Sequence, residues 1–132
     1  MILVDTSVLI DSFRGASNPT TKRFNEIRAR EIPFGINNYI YQELLLGAAT
    51  VGDFETLSVF LITLRFYNLL HGRDSHESAA LLYFRCRKKG LVIRSTIDFL
   101  IAQTAIEHNL LLLHNDSDFT SMAKIIKKLI IY

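Results

Sequence analysis

Carboxylates occupy several places in this chain where no neighbouring charge balances them. Asp5, Glu43 and Asp98 are each the only charge in an apolar or uncharged stretch, and Asp116 and Asp118 follow a run of leucines. Carboxylates that fold together repel one another and raise one another's pKa values, and a divalent cation is the usual remedy. Because ligands that are all oxygen favour Mg²⁺ or Mn²⁺ over Zn²⁺, we expect one of these two ions if the acids meet.

Each of these acids also has a purely structural explanation. Asp98, Asp116 and Asp118 fall where helix caps or first-turn acids complement a helix dipole, and Glu43 could face solvent from the middle of a helix. Taken singly, the residues favour those explanations. Taken together, and with no Lys or Arg adjoining Asp5, Glu43, Asp98 or Asp116, they favour a shared site.

The elements that must position these acids are short apolar strands alternating with longer helical segments. This alternation predicts an α/β fold with a mostly parallel sheet covered by helices on both faces, and ligands of such sheets bind beyond the carboxyl ends of the strands. We predict strands at Ile2–Val4, Pro33–Ile36, Leu110–Leu113 and Leu129–Ile131, and helices capped at Asn18, Asn37 or Asn38, Asp53, Asp74, and Ser95 or Thr96. A last short helix is predicted to begin at Ser117 or Asp118.

Composition indicates one domain over residues 1–132. The chain is 49% hydrophobic, carries a formal net charge of +2 and has one cysteine, so a disulfide scaffold is excluded. Its apolar runs are far shorter than the roughly 20 residues of a membrane helix, and Asp5 interrupts the apolar start that a signal peptide needs. We therefore expect a cytoplasmic protein that does not associate with membranes.

Four segments resemble, in order and spacing, the acidic motifs of PIN-domain proteins, and most of all those of the VapC toxins of bacterial and archaeal toxin–antitoxin pairs. They are Met1–Ile10, Gln42–Gly47, Arg94–Ala102 and Leu112–Phe119. The resemblance extends over essentially the whole chain. It implies a PIN-like three-layer fold with a central sheet between layers of helices.

The same resemblance implies an endoribonuclease that uses Mg²⁺ or Mn²⁺ to activate a water molecule against an RNA phosphodiester bond. It also implies a homodimer and a VapB-type antitoxin that covers an apolar groove and the acidic site. The residues that it assigns are Asp5, Glu43, Asp98 and Asp116 as the catalytic quartet, Asp5, Asp98 and Asp116 as metal ligands, Thr6, Ser7 and Asp118 as auxiliary groups, and Arg94 and Arg85 as RNA-binding residues.

One position departs from the family pattern, and three other functions remain as alternatives. His114 stands where many family members have Thr, and a strand-end histidine with a local hydrogen bond is the favoured interpretation. A phosphatase of the HAD class would need an acid at Ser7. A phosphoacceptor receiver module would need adjacent acids after the first strand and a late Lys. A PIN-like RNA-binding protein without catalysis is the third alternative.

Overall fold

The computed structural model describes residues 1–132 as a five-stranded sheet with seven helices. The strands are β1 (Ile2–Val4), β2 (Phe34–Ile36), β3 (Arg65–Phe66), β4 (Leu111–Leu113) and β5 (Ile130–Ile131). The helices are α1 (Thr6–Phe13), α2 (Pro19–Ala29), α3 (Asn38–Leu46), α4 (Val51–Leu61), α5 (Arg73–Lys88), α6 (Ile97–Glu107) and α7 (Ser117–Ile125).

All neighbouring strands of the sheet are parallel, and their order is β3-β2-β1-β4-β5. The central strand β1 is buried along its whole length, as Ile2, Leu3 and Val4 show. Strands covered by helices on both faces need apolar side chains on both sides, which explains the uninterrupted apolar runs of the sequence. The predicted α/β fold with a parallel sheet is confirmed.

The strand order places a crevice beside β1. After β1 the chain builds β2 and β3 on one side, and it later returns to build β4 and β5 on the other. The backbone N–H of Asp5 donates to the carbonyl oxygen of Leu113 at 2.9 Å, which holds the ends of β1 and β4 together. Ligand sites of open parallel sheets lie at such a reversal of strand order, beyond the carboxyl ends of the strands.

Strand β3 was not predicted from the sequence. It consists of two residues at the edge of the sheet, and one of them is the exposed Arg65, so it has no apolar pattern to detect. Its pairing with β2 depends on Gly35, because a Cβ there would lie 2.3 Å from the Arg65 carbonyl oxygen. The pairing therefore requires a residue without a side chain at this position of β2.

Several predicted helix starts are confirmed and two are wrong. Asn18 caps α2 and Asn37 caps α3, each through its side chain. Asp53 does not cap α4, because Thr50 accepts a hydrogen bond from the Asp53 N–H at 3.0 Å and starts the helix earlier. Asp74 lies in the first turn of α5, whose cap position is Gly72.

The carboxyl-terminal end of α6 is tied to other elements by buried polar side chains. The amide of Asn37 donates to the Thr104 hydroxyl at 3.1 Å, and that hydroxyl donates to the Leu100 carbonyl oxygen at 2.8 Å. Asn37 also caps α3, so this contact fixes α3 against α6. None of the helices combines the length and the apolar character that crossing a bilayer requires.

Candidate metal centre

Asp5 lies at the end of β1 and caps α1. Its Oδ2 accepts hydrogen bonds from the backbone N–H of Ser7 at 3.1 Å and from the Ser7 hydroxyl at 2.6 Å. The residue is only 5% exposed, and burial raises its pKa, with a smaller contribution from the charge of Asp116. Both hydrogen bonds fall on Oδ2, so Oδ1 stays available to a ligand.

Asp116 and Asp118 follow β4 at the start of α7. Asp116 caps this helix, since its Oδ1 accepts from the backbone N–H of Asp118 at 2.9 Å. Carboxylate oxygens of Asp98, Asp116 and Asp118 lie within 4.8 Å of one another. The sequence assigned Asp118 only as an auxiliary acid. In the structure its carboxylate lies next to those of Asp98 and Asp116, two residues of the quartet.

Asp98 lies in the first turn of α6 and is 9% exposed. Its pKa is raised from 3.8 to about 7, first by burial and then by repulsion from Asp5, Asp116, Glu43 and Asp118. Every other acid of the cluster thus acts electrostatically on this one residue. The acids that act on Asp98 come from three other segments of the chain.

Glu43 reaches the same cluster from the middle of α3. Its pKa is raised by burial and by the charge of Asp5, and its Oε1 is buried without a hydrogen-bond partner. The hydroxyl of Thr6, next to Asp5 on α1, is likewise buried and unpartnered. A buried polar atom without a partner is costly, so the unpartnered Oε1 of Glu43 in the carboxylate cluster fits a cation or a polar ligand that satisfies it.

A hydrogen-bond network that the sequence did not reveal joins the turn after β1 to the turn after β4. The Ser7 hydroxyl accepts from the backbone N–H of Asn115 at 3.0 Å while it donates to Asp5. The Asn115 amide donates to Asp11 Oδ2 at 2.8 Å, and the Asn18 amide donates to the same oxygen at 3.1 Å. Asp11, a lone acid within the apolar helix α1, is the one signal that the sequence offers for this network.

His114 adopts the local hydrogen bond that the sequence favoured. Its Nδ1 accepts from the backbone N–H of Asp116 at 3.1 Å, so the neutral ring carries its proton on Nε2. The ring contacts Phe119 with 5.3 Å between centroids, and burial lowers its pKa. The neutral imidazole therefore orients the backbone of Asp116 without adding a positive charge to the site.

The two arginines expected to contact RNA lie on the surface. Arg94 is exposed in the segment that leads into α6, four residues before Asp98. Arg85 is exposed on α5. Neither arginine is among the charges that act on Asp5, Glu43 or Asp98.

The donor set is what a hard divalent cation prefers. Asp98, Asp116 and Asp118 supply three carboxylates around one point, Asp5 and Glu43 border it, and the nearest ring nitrogen, Nδ1 of His114, is already hydrogen-bonded. Oxygen ligands of this kind suit Mg²⁺ or Mn²⁺, and a cation there would remove the repulsion that raises the pKa of Asp98. The residues present fit such an ion.

Comparison with known proteins gives relatives along the whole chain. The PIN domain model matches residues 2–125. The chain is 31% identical over 126 residues to a VapC ribonuclease of Mycobacterium bovis and to ribonuclease VapC11 of Mycobacterium tuberculosis, covering 95% of this chain and 93% of each relative.

Solved structures share the fold at lower sequence identity. VapBC2 from Rickettsia felis, solved with a DNA fragment from its promoter, aligns with a TM-score of 0.76 and 22% identity, over 100% of this chain and 98% of that one. FitAcB from Neisseria gonorrhoeae gives a TM-score of 0.71 and 19% identity over 100% of this chain and 96% of that one. The family match and the mycobacterial relatives confirm the expected resemblance: the chain belongs to the PIN domain family and is a relative of the VapC ribonucleases.

Proposed function

We propose that this chain is an endoribonuclease dependent on Mg²⁺ or Mn²⁺ that acts as the toxin of a VapBC-type toxin–antitoxin pair in the cytoplasm. The observation that carries the proposal is that four carboxylates, from three other chain segments, act on Asp98, and no cationic side chain is among the charges that do so. The relatives named VapC ribonuclease support the same activity. A receiver module or a HAD phosphatase does not agree with membership of the PIN domain family.

In this proposal Asp98 and Asp116 hold the metal together with Asp5, and Asp118 and Glu43 complete the acidic site. When bound, a divalent cation lowers the pKa of a coordinated water molecule and neutralises charge on a phosphate. Ser7 holds Asp5 by its two hydrogen bonds. Thr6 offers its unpartnered hydroxyl to the metal site or to a phosphate oxygen.

The surface that we propose for RNA has its carboxylates in one cluster and its candidate phosphate-binding arginines, Arg94 and Arg85, outside that cluster. The carboxylate cluster alone repels phosphates, so the cation is needed for RNA to approach as well as for hydrolysis. Arg94, at the entry to α6, is our first candidate for a flanking phosphate, and Arg85 on α5 is the second. Such contacts are strongly dependent on salt because they release counterions from the RNA.

An apolar groove beside the acidic site is the proposed position of the antitoxin. It has a volume of about 680 Å³ between α1, α3 and α4, and Arg14 and Asp53 are its charged lining residues. Its apolar lining includes Ile10, Phe13, Leu44, Leu57 and Phe60. Helix α3 contributes Leu44 to the groove and Glu43 to the acidic site, so we propose that an antitoxin segment extending across α3 covers the acidic site and blocks RNA.

Cleavage in the presence of metal is the direct test of the activity. Purified protein should cleave structured RNA with Mn²⁺ or Mg²⁺ and should lose cleavage in EDTA, and sequencing of RNA ends after brief expression in a host should identify the target. Undiminished cleavage in EDTA contradicts the metal dependence. Retention of RNA in a gel-shift assay with no cleavage under any metal would instead favour the non-catalytic PIN-like protein.

Growth of the host tests the toxin assignment separately. Expression of the chain alone should stop growth, and co-expression of the small protein encoded beside it should restore growth. Leu57→Glu in the groove should prevent that rescue without abolishing toxicity, whereas the same change at Val59, an exposed residue of α4 that does not line the groove, should leave rescue intact. Normal growth with soluble wild-type protein contradicts the toxin assignment.

A further inference from the structure

Helix α1 carries an acidic residue, Asp11, that lies outside the carboxylate cluster. Asp11 follows Ser7 by four residues, so the two side chains lie on the same face of α1. That face meets the turn after β4. The backbone N–H of Asn115 donates to the Ser7 hydroxyl at 3.0 Å, and the Asn115 amide donates to Asp11 Oδ2 at 2.8 Å. Two residues of α1 thus bind Asn115, one at its backbone and the other at its side chain.

Asn115 lies where the two turns that carry proposed metal ligands meet. It precedes Asp116 directly, and the Ser7 hydroxyl that it contacts also donates to Asp5 Oδ2 at 2.6 Å. A short path of hydrogen bonds therefore runs from Asp5 through Ser7 to the residue next to Asp116. The bond from the Asn115 amide to Asp11 is a second attachment of the same turn to α1.

These attachments matter because the acids on the two turns repel each other. The negative charge of Asp116 raises the pKa of Asp5, so without a cation the electrostatic force acts to separate the turns. Hydrogen bonds between the turns oppose this force and keep the two carboxylates close together. A site that is already held in its binding geometry loses less free energy to ordering when the ligand binds, so it binds more tightly.

Asp11 is itself fixed in place by the start of α2. The Asn18 amide donates to the same Oδ2 of Asp11 at 3.1 Å. Asn18 is held in turn by the capping box of α2, because its Oδ1 accepts from the backbone N–H of Thr21 at 2.9 Å. The acceptor that Asn115 uses is therefore positioned by two helices, α1 and α2.

We infer that Asp11 is a positioning residue, which holds the turn of Asp116 against Asp5 through Asn115 and so raises the affinity of the site for a divalent cation. This inference rests on the proposed metal-dependent nuclease. Asp11 acts through its hydrogen bond rather than its charge, since it is not among the charges that act on Asp5 or Asp98. Removal of residues that orient metal ligands typically weakens metal binding by roughly 10–100-fold.

Binding of Mn²⁺ to the full chain tests the link directly. Free Mn²⁺ gives a sharp paramagnetic resonance signal that broadens when the ion is bound, so a titration yields the dissociation constant without a cleavage assay. Asp11→Ala and Asn115→Ala remove the same hydrogen bond, and each should raise this constant by roughly 10–100-fold. The double variant should lie within about threefold of either single variant, because two changes that remove one shared interaction are not additive.

Asp11→Asn separates the hydrogen bond from the charge. The oxygen of the new side chain still accepts from the Asn115 amide, and its nitrogen replaces Oδ1, which accepts no hydrogen bond from the protein. We expect its Mn²⁺ dissociation constant to stay within about threefold of wild type, because the acceptor is kept. If Asp11→Asn weakens Mn²⁺ binding as much as Asp11→Ala, Asp11 acts through its charge and the inference is wrong.

Thr50→Ala is the matched control for a general loss of stability. The Thr50 hydroxyl caps α4 by accepting from the Asp53 N–H, and it contacts no residue of the metal centre. Its removal should lower the melting temperature, since loss of a cap destabilises a helix, and should leave the Mn²⁺ dissociation constant unchanged.

Cleavage gives a second measurement. Raised Mn²⁺ should restore cleavage to Asp11→Ala, because this variant keeps every proposed metal ligand, whereas it should not restore cleavage to Asp98→Asn. Wild-type Mn²⁺ affinity in Asp11→Ala, or an equal loss of affinity in Thr50→Ala, would overturn the inference and leave the nuclease proposal intact. A wild-type chain that binds no Mn²⁺ would contradict both.

Discussion

Helix α6 carries a carboxylate near each end, and the two have opposite surroundings. Asp98 in the first turn receives no hydrogen bond from the protein, and burial and four neighbouring acids raise its pKa to about 7. Glu107 in the last turn is also partly buried, which acts to raise its pKa, but it accepts hydrogen bonds that lower its pKa below the usual value. The donors are the Ser75 hydroxyl at 2.5 Å, the Leu70 N–H at 2.9 Å and the Gln103 amide at 3.3 Å.

The helix dipole predicts the reverse order of pKa values, because it favours a negative charge at Asp98 and disfavours one at Glu107. Burial, hydrogen bonds and neighbouring charges therefore outweigh the dipole at both ends. The comparison separates a carboxylate that the protein itself satisfies from one that it leaves for something else to satisfy. Glu107 fixes the loop before α5, whereas only burial and other acids act on the charge of Asp98.

The largest effect should come from Asp98→Asn. If Asp98 is a metal ligand, the variant should lose RNA cleavage, while relief of repulsion leaves the metal-free protein at least as stable as wild type. Wild type at a hundredfold excess of Mn²⁺ over its dissociation constant should gain about 2.7 kcal/mol, and the variant should gain little. Thermal unfolding with and without Mn²⁺ measures this gain. A variant with full cleavage and a full Mn²⁺ gain would remove Asp98 from the site.

The next largest effect should be on the pH dependence of stability: Asp98 and Glu107, at the two ends of α6, should contribute to the free energy of unfolding with opposite dependence on pH. The folded pKa of Asp98 is raised from 3.8 to about 7, so the folded chain holds a proton that the unfolded chain loses between these values. Its contribution to the free energy of unfolding therefore falls as pH rises from about 4 to 7, by roughly 4 kcal/mol at most at 1.36 kcal/mol per pKa unit. The lowered pKa of Glu107 has the other sign, so its contribution is present above pH 4.5 and is lost as pH falls through the folded pKa.

Urea unfolding in EDTA from about pH 3 to 7.5 measures the Asp98 contribution in the upper part of the range and the loss of the Glu107 contribution in the lower part. Asp98→Asn should become progressively more stable than wild type toward pH 7, and saturating Mn²⁺ should abolish the wild-type decline because the metal competes with the proton. Glu107→Gln should be less stable than wild type throughout the range above pH 4.5, and the difference should shrink only below that value. If the free energies of unfolding of wild type and Asp98→Asn in EDTA changed in parallel with pH, the raised pKa of Asp98 would be contradicted.

Glu107→Gln should cost stability without affecting the chemistry. Its two oxygens accept from three donors, so an amide nitrogen in place of one oxygen puts a donor against a donor. Hydrogen bonds to a charged acceptor are worth about 1.5–3 kcal/mol, and we expect a loss in that range at pH 7. Cleavage measured well below the midpoint of unfolding should match wild type. A drop in cleavage with unchanged stability would place Glu107 in the functional site instead.

Much of this site was predictable from the sequence because strand ends impose it. Asp5 follows β1 directly and Asp116 lies three residues after the end of β4, and parallel neighbours bring their carboxyl ends to one edge. Glu43 is the only charge in its stretch of the sequence, which together with the other lone acids favoured a shared site, and the effect of Asp5 on its pKa agrees. The residue types within each segment, together with the topology of the sheet, were sufficient to predict that these residues lie near one another.

The remainder depends on contacts that no local pattern encodes. Asp118 joins Asp98 and Asp116 only because the cap at Asp116 sets the first turn of α7. Asn115 reaches Asp11 across 104 positions of sequence, a contact that depends on how two turns pack. The two wrong helix starts have the same origin, since Thr50 takes the role predicted for Asp53 and the cap position before Asp74 falls on Gly72.

The smallest expected effect extends the comparison to two buried threonines. The Thr104 hydroxyl accepts from the Asn37 amide and donates to the Leu100 carbonyl oxygen, whereas the Thr6 hydroxyl has no partner. Valine is nearly isosteric with threonine, so each Thr→Val change removes little more than the hydroxyl. At Thr104 the change leaves the Asn37 amide unpaired, and we expect a loss of about 1–3 kcal/mol of unfolding free energy.

At Thr6 the same change removes an atom that the protein leaves unsatisfied, so stability in EDTA should stay within about 0.5 kcal/mol of wild type or rise. If that hydroxyl contacts the bound metal or the RNA, Thr6→Val should reduce the Mn²⁺-induced gain in stability or the rate of cleavage. Thr104→Val should reduce neither quantity. Urea midpoints with and without Mn²⁺ for both variants make the comparison. A destabilised Thr6→Val protein with normal metal response and normal cleavage would show that Thr6 belongs to the fold, as Thr104 does, and not to the site.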